Sequence, residues 1–286
     1  VVGEHPAAGV RGVEEPRIDF GVYNKRSKEI DEQILNGLTA ALETHDAIIF
    51  NQQVVGSITN ADFIDKANAL FEQYNDKIIL VDSRHFNDRF SNVYRKVNDV
   101  EAAHLNGVQV EPRTMLPRAT VLEYGQSLFA QSQKPVFVTC GARGITAFDS
   151  TGYYEHLGLQ LTAQLDTVGA GDTVISAITL CLAAGISPNQ AAQFANFAAA
   201  VTVQKLFITG TANGEEILDI SQDPNYIYQA DLAENQRQAV YLPDSETELC
   251  DPSVLEKLGH IKYAVFDHDG TISTLRHGWE EIMEPV

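Results

Sequence analysis

The chain has 286 residues, of which 44% are hydrophobic and 8% aromatic, so it can bury a substantial core and does not have the composition of a disordered protein. Its formal net charge is −19, from 39 acidic and 20 basic residues. That charge repels phosphate backbones and anionic lipid surfaces, which argues against nucleic acid and membranes as partners.

The cysteines and the apolar runs bear on cellular location. Cys140, Cys181 and Cys250 are far apart and form no CxxC pair, which predicts reduced thiols rather than a disulfide framework or a zinc site. The most apolar run, 174–186, is shorter than the roughly 20 residues that a bilayer requires, and the first residues show no signal pattern. The sequence therefore predicts a cytoplasmic protein. Because the chain begins at Val1 and stops soon after an apparent new domain opens, we also expect a fragment of a longer polypeptide.

Extended apolar runs alternate with helical patterns over most of the chain. Asn60 and Ser187 are predicted helix caps, and Gly107 is predicted to end a short helix that follows the stretch YRKVN. In chain order, the pattern predicts helices over 27–45, 60–74, 99–107, 114–132, 172–184 and 188–206, and strands over 47–50, 77–82, 136–140 and 145–149.

Strands that alternate with helices predict βαβ units and a parallel sheet. The expected fold class is therefore α/β, a three-layer α/β/α sandwich with a mostly parallel sheet. Ligands of such sheets bind beyond the carboxyl ends of the strands. Asn51, Asp82, Asn98 and the pair Cys140-Gly141 fall at those ends.

The stretch DTVGAGDT contains a glycine turn, Gly169-Ala170-Gly171, that leads into a helix at Asp172. The glycines allow a tight turn whose amides face one space, and the helix adds its unpaired N–H groups, which together favour an anion. Asp172 can be a helix cap and nothing more. Alternatively, it can accept a proton from an alcohol that attacks a bound γ-phosphate, while the amides stabilise the transferred phosphoryl group.

The chain has no GxxxxGK[ST] motif, which excludes a P-loop, and no GxGxxG after a strand. The turn resembles the C-terminal DTxGAGD signature of the ribokinase-like (PfkB) family of carbohydrate kinases. The resemblance implies a ribokinase-like fold, ATP and Mg²⁺ as cofactors, and Asp172 as general base.

Two further resemblances concern cations. Asn98 and Glu101 resemble the family's NxxE motif, which organises magnesium near the phosphates, although the same pair can form a helix cap with an acidic first turn. Asp166 and Thr167 match positions that hold a monovalent cation in some members, and use of such a cation is left open.

Two more resemblances concern the nucleotide. VTCGARG resembles the family's VTxGxxG segment, which implies that Thr139, Gly141 and Gly144 border the phosphates. FANFAAAVTVQKL resembles the helix beside the adenine, which implies a nucleotide-binding role for Asn196.

The resemblance covers about the C-terminal two-thirds of such a kinase and predicts a kinase domain over 1–220 that lacks the family's N-terminal part. The stretches RIDFGVYNK and NVYRKVNDVEAAHLNG look most like the heptose-phosphate kinase branch, whereas FNQQVVG departs from the acidic loop usual there. Another phosphorylated sugar would fit equally, and a homodimer is an open alternative.

A second signature follows a polar segment, 221–259, that reads as a linker. In VFDHDGT, two aspartates end an apolar strand, and the motif resembles the first motif of haloacid dehalogenase (HAD) hydrolases, with Asp267 as nucleophile and Asp269 as acid/base, both at a magnesium site. His268 replaces the usual apolar residue. The expectation is that 260–286 opens a truncated phosphatase domain; the same residues could form an Asp-Gly turn after a buried strand.

The sequence thus predicts a bifunctional protein, an ATP-dependent carbohydrate kinase joined to a sugar-phosphate phosphatase. Two alternatives stay open: the phosphatase is the main activity, or the chain is a sugar or nucleotide sensor on a kinase scaffold that transfers no phosphate. The presence of Asp172 and both glycines disfavours the sensor.

Overall fold

The computed structural model describes residues 26–53, 60–112, 114–159, 161, 164–208 and 210–223, together with the short pieces 240–241, 248–249, 256, 258–260 and 262–263. A six-stranded sheet forms the centre of the described part, in the order β1-β2-β3-β4-β5-β6. Its strands are β1 (Ala47–Gln52), β2 (Ile78–Ser83), β3 (Tyr94–Asn98), β4 (Val136–Thr139), β5 (Gly144–Asp149) and β6 (Gly152–Leu157).

Seven helices accompany the sheet within the described residues. They are α1 (Lys28–Thr44), α2 (Ala61–Gln73), α3 (Asp99–Leu105), α4 (Arg118–Ser132), α5 (Ala170–Ala183), α6 (Pro188–Thr202) and α7 (Gly214–Ser221). Short 3₁₀ turns span Asn87–Arg89, Gly141–Arg143 and Leu258–His260, and a two-stranded ribbon pairs β7 (Val240–Tyr241) with β8 (Glu248–Leu249).

Helices cover both faces of the sheet. Side chains of one strand alternate between the two faces, and both faces carry apolar residues that the helices bury. Leu80 and Phe137 point to the side where α5 and α6 pack, and their neighbours Ile79, Val81 and Val138 point to the side of α1 to α4. The three-layer architecture and the mostly parallel sheet are therefore confirmed.

The predicted caps also hold. Asn60 accepts the N–H of Phe63 at 2.9 Å, and Ser187 accepts that of Gln190 at 3.3 Å with Pro188 at the first helical position. Gly107 follows α3 in the left-handed region with φ 79°. Such local signals fix where the helices start and end because they satisfy N–H and C=O groups that a helix leaves unpaired.

The sheet is parallel from β1 to β4, and β5 pairs antiparallel with both β4 and β6. Three boundaries of the predicted helices were wrong. The helix predicted from 114 starts at Arg118, because Pro117 disfavours helical backbone in the residue before it. The helix predicted to reach 206 ends at Thr202, and the one predicted from Asp172 starts two residues earlier. β6, β7, β8 and α7 were not predicted, and β3 was predicted only through the position of Asn98 at a strand end.

Candidate active site

The predicted site residues gather at the carboxyl edge of the parallel strands. Asn51 at the end of β1 pairs in register with Asp82 of β2, and Asn98 at the end of β3 pairs with Thr139 of β4. The glycine turn lies at the same edge, because Asp172 in the first turn of α5 is hydrogen-bonded to Asn51 near the end of β1. Residues separated by more than a hundred positions in the chain thus converge on one place.

The glycine turn forms the N-terminus of α5. Gly169 is the N-cap, with φ 81° and no side chain to cap the helix, so Asp172 is the third helical residue and not the first. Its carboxylate is exposed and does not cap its own helix. The unpaired N–H groups of this first turn provide a positive end toward the site.

A lysine that sequence reasoning did not single out lies against this turn. A Cβ on Gly171 would come within 3.2 Å of Lys96 Nζ, which is also 2.8 Å from Asp82 Oδ2. Both side chains of this ion pair are almost fully buried. Lys96 therefore places a buried ammonium group, paired with Asp82, next to the glycine turn. The available signal was a lysine in the middle of a short strand, YRKVN, of a sheet that is expected to be covered on both faces.

Asp172 itself contacts the end of β1. Asn51 Nδ2 donates to Asp172 Oδ1 at 3.0 Å, which leaves the second carboxylate oxygen available to an acceptor hydroxyl. This contact joins the glycine turn to the strand edge.

The NxxE pair forms a capping box. Asn98 Oδ1 accepts the N–H of Glu101 at 2.7 Å, and Glu101 Oε2 accepts the N–H of Asn98 at 2.8 Å. Burial raises the pKa of the Glu101 carboxyl, with the backbone hydrogen bond and Lys96 opposing the shift. The capping interpretation is thus observed. Among the described residues, no group of three His, Cys, Asp or Glu side chains is arranged to hold a metal.

The predicted nucleotide segment is shaped by close backbone packing. Gly144 has φ 97°, and a Cβ there would lie 2.0 Å from the carbonyl oxygen of His156. Gly141 has φ 59° with open space around its Cβ position, and Thr139 Oγ1 donates to the Val97 carbonyl at 3.3 Å. Gly141 is therefore the position in this turn where a ligand could approach the backbone.

Asn196 and Asp166 have structural partners. The buried amide of Asn196 donates to the Leu157 carbonyl at 2.6 Å and ties α6 to the end of β6. Asp166 accepts the N–H of Val168 through Oδ1 and that of Phe207 through Oδ2, both at 3.1 Å. Asn196 and Asp166 therefore each connect two parts of the fold, a structural role that is compatible with a ligand contact. Thr167 contributes its carbonyl, which accepts the N–H of Ala170 at 3.2 Å.

Asp267 and Asp269 lie outside the described residues, as do His268 and most of the predicted linker. In the described part of the chain, no helix is both long and apolar enough to cross a membrane.

The sequence profile described as "pfkB family carbohydrate kinase" matches residues 29–213, about two-thirds of the chain. The chain belongs to the pfkB family of carbohydrate kinases. The matched range includes Asn51, Lys96, the NxxE pair and the whole glycine turn.

Curated relatives carry one recurring name. "Bifunctional protein HldE" of Desulfatibacillum aliphaticivorans is 34% identical over 135 residues, which cover 47% of this chain and 27% of that protein. The protein of the same name from Vibrio parahaemolyticus is 29% identical over 221 residues, covering 72% of this chain and 41% of that protein. The chain thus spans less than half the length of these relatives.

Solved structures share the fold. A putative phosphofructokinase from Staphylococcus aureus superposes with a TM-score of 0.55 at 20% identity, covering 70% of this chain and 63% of that one. Phosphofructokinase-2 from Escherichia coli in complex with potassium gives 0.57 at 18% identity, covering 72% and 64%. At these identities the likeness establishes the ribokinase-like fold alone.

Proposed function

We propose that this chain carries the phosphoryl-transfer site of an ATP-dependent carbohydrate kinase with Asp172 as its general base. The observation that carries the proposal is the position of the Asp172 carboxylate, exposed on the first turn of α5 beside the glycine turn and held by Asn51 at the sheet edge. An acid at this place can reach a hydroxyl whose oxygen faces a phosphate bound to the turn.

The reaction moves one proton and one phosphoryl group. The acceptor hydroxyl gives its proton to the free oxygen of Asp172 as its own oxygen bonds to the γ-phosphorus. The bond from that phosphorus to the bridging oxygen breaks, and ADP leaves with the electron pair. Charge that builds on the phosphoryl oxygens is stabilised by the amides of Gly169 and Gly171 and by the nearby Lys96 ammonium, whereas the Ala170 amide already donates to the Thr167 carbonyl.

The residues present also fit a divalent metal held largely through water. Mg²⁺ keeps several waters and uses one or two carboxylates besides the phosphates, and Glu101 with Asn98 offers such a set next to Lys96 and Asp82. When bound there, Mg²⁺ would neutralise negative charge on the phosphates. Thr139, Gly141, Gly144 and Asn196 remain proposed nucleotide contacts, and a monovalent cation at Asp166 and Thr167 remains a proposal.

The acceptor that we propose is a phosphorylated sugar, with heptose phosphate as the first candidate. The stretches that resemble the heptose-phosphate kinase branch and the recurring relatives named HldE support this choice. The family as a whole supports a small sugar.

The test is acceptor-dependent ADP release by the intact protein. We expect turnover by the unchanged protein with a heptose 7-phosphate, and at least a hundredfold loss in Asp172→Asn, since general-base catalysis contributes roughly 10²–10⁴-fold. Calorimetry should give the same affinity for Mg-ATP in both. Near-normal turnover by Asp172→Asn would exclude the role of Asp172. ATP binding without any acceptor-dependent turnover would favour a sensor.

The phosphatase is a separate proposal that depends on the VFDHDGT motif alone. We infer that Asp267 and Asp269 begin a HAD-type site after a linker over 221–259. Release of phosphate from sugar phosphates by the intact protein, lost in Asp267→Ala with the kinase activity retained, is the expected result. Retention of that release in the variant would remove the assignment.

A further inference from the structure

The contact between Asn51 and Asp172 is one link of a longer chain of side chains. Arg84 Nε donates to Gln53 Oε1 at 2.8 Å, Gln53 Nε2 donates to Asn51 Oδ1 at 2.5 Å, and Asn51 Nδ2 donates to Asp172 Oδ1 at 3.0 Å. We call Arg84, Gln53 and Asn51 the Arg84 relay. It leads from a cation at the end of β2 to the carboxylate on α5.

The direction of the relay is fixed by chemistry. An amide can present either its oxygen or its NH₂ group to a neighbour, but a guanidinium can only donate. Arg84 therefore takes the oxygen of Gln53, which turns the Gln53 NH₂ group toward Asn51. That in turn directs the Asn51 NH₂ group to Asp172. Each amide has one orientation that satisfies both of its neighbours.

The base of the relay is rigid. Gln52 is 1% exposed, and its Oε1 accepts from Ser83 Oγ at 3.1 Å and from the N–H of His85 at 3.0 Å. The N–H of Arg84 donates to the Gln52 carbonyl at 3.0 Å. The ends of β1 and β2 are thereby locked together, so Asn51 and Arg84 project from one fixed platform.

We propose that the Arg84 relay positions the general base: it holds one oxygen of Asp172 so that the other faces the acceptor hydroxyl. Asn51, Gln53 and Arg84 are positioning residues, and the inference rests on the proposed kinase function. A carboxylate without this contact would rotate about its Cβ–Cγ bond and spend less time aligned with the attacking oxygen, which lowers kcat. The NQQ stretch, which departs from the acidic loop expected there, supplies two of the three members.

Substitutions at Asn51 separate a donor role from a space-filling role. Asn51→Ala removes the donor and should lower kcat roughly tenfold to a hundredfold, with KM for ATP unchanged. Asn51→Asp has the same shape and still accepts from Gln53, but it turns a carboxylate oxygen toward Asp172. We expect it to be worse than Asn51→Ala. A residue that only fills space would give the opposite order.

A substitution at Gln53 tests the relay one link farther away. Gln53→Glu keeps the partner of Arg84 but cannot donate to Asn51, so the Asn51 amide should turn its oxygen toward Asp172 and kcat should fall. The matched control is Asn68→Ala on α2. Asn68 is also half-buried, and its side chain donates to the Arg89 carbonyl and accepts the Ser91 N–H, away from the site. The alanine variant therefore loses two hydrogen bonds without touching Asp172. Its kcat should stay at the level of the unchanged protein.

The assay is ADP release by the intact protein with heptose 7-phosphate, fructose 6-phosphate and water tried as acceptors, together with calorimetric Mg-ATP binding of each variant. The relay is supported if kcat is highest in the unchanged protein, lower in Asn51→Ala and lowest in Asn51→Asp, while the affinity for ATP stays constant. Unchanged kcat in Asn51→Ala, or Asn51→Asp at least as active as Asn51→Ala, overturns the relay and leaves the kinase standing. No ADP release by the unchanged protein with any acceptor overturns both.

Discussion

The turn between β4 and β5 offers a paired test of the site's backbone. Gly144 and Gly141 both have positive φ, 97° and 59°, but their surroundings differ. At Gly144, ψ is −144°, in a region that only glycine populates freely, and a Cβ would lie 2.0 Å from the His156 carbonyl oxygen and 2.6 Å from the Gly158 nitrogen. At Gly141, nothing lies within 4 Å of a Cβ.

The expected costs follow from these two environments. Gly141→Ala has only the left-handed backbone to accommodate, which costs about 1–2 kcal/mol. Gly144→Ala adds strain of about 1–3 kcal/mol in a rarer region and a clash with backbone that cannot move without parting β5 from β6. We expect a total loss of at least about 4 kcal/mol for Gly144→Ala, which corresponds to a fall in melting temperature on the order of 10 °C.

Urea unfolding followed by circular dichroism measures both variants against the unchanged chain. If the two variants lose the same stability, or if Gly144→Ala is the milder one, the backbone contact between this turn and the end of β6 is wrong. Mg-ATP affinity gives a second comparison, since Gly141 faces open space. Gly141→Ala should weaken binding more than its small effect on stability would suggest.

Three further predictions concern charged groups. Lys96→Met should destabilise the fold by about 3–5 kcal/mol, because it leaves Asp82 buried without its partner. In urea unfolding, the double variant Lys96→Met, Asp82→Leu should recover much of that loss. Equal stability of the single and double variants would refute the pairing. Burial lowers the pKa of His156 from its ordinary 6.5, so the unfolded chain binds protons more readily than the folded one. The free energy of unfolding should therefore fall as pH drops below about 6.5, and His156→Gln should flatten this dependence. An unaltered slope in the variant would contradict the role of His156. Glu101→Gln can still accept the N–H of Asn98 and so keeps the cap, but it removes the charge and should shift magnesium activation of ADP release to higher concentration; an unshifted curve would leave Glu101 with a capping role only.

Local signals explain why much of the fold could be predicted. Asn60, Ser187 and Gly107 act on groups within a few residues, and the apolar periodicity of α1 and α2 is set by one buried face each. Gly169 shows the limit of such reasoning: it caps α5 by its left-handed backbone, so the helix starts before the aspartate that a side-chain cap would have suggested.

The antiparallel end of the sheet was missed for a different reason. GYYEHL is a half-exposed edge strand with no apolar alternation, so it carries little strand signal. The short connections on either side of β5 were nevertheless informative, because a parallel crossover needs a dozen or more residues and only Ser150 and Thr151 separate β5 from β6.

Within the site, the sequence motifs located the glycine turn and the strand ends but not the contacts between them. Lys96 lies against Gly171 and Asn51 against Asp172, and both pairs join residues that are far apart in the chain, 121 positions in the second case. No local pattern encodes such pairs. The capping box of Asn98 and Glu101, by contrast, was readable as one of two interpretations from spacing alone.

The central claim is that the glycine turn binds the phosphates of a nucleotide, and titration of Mg-ATP into this chain by calorimetry tests it most directly. The matched variant is Gly171→Val, whose side chain would crowd the space 3.2 Å from Lys96 Nζ. We predict saturable binding to the unchanged chain and its loss in the variant, with circular dichroism showing that both are folded. Absence of binding to a folded, unchanged chain, or equal binding by Gly171→Val, would contradict the account.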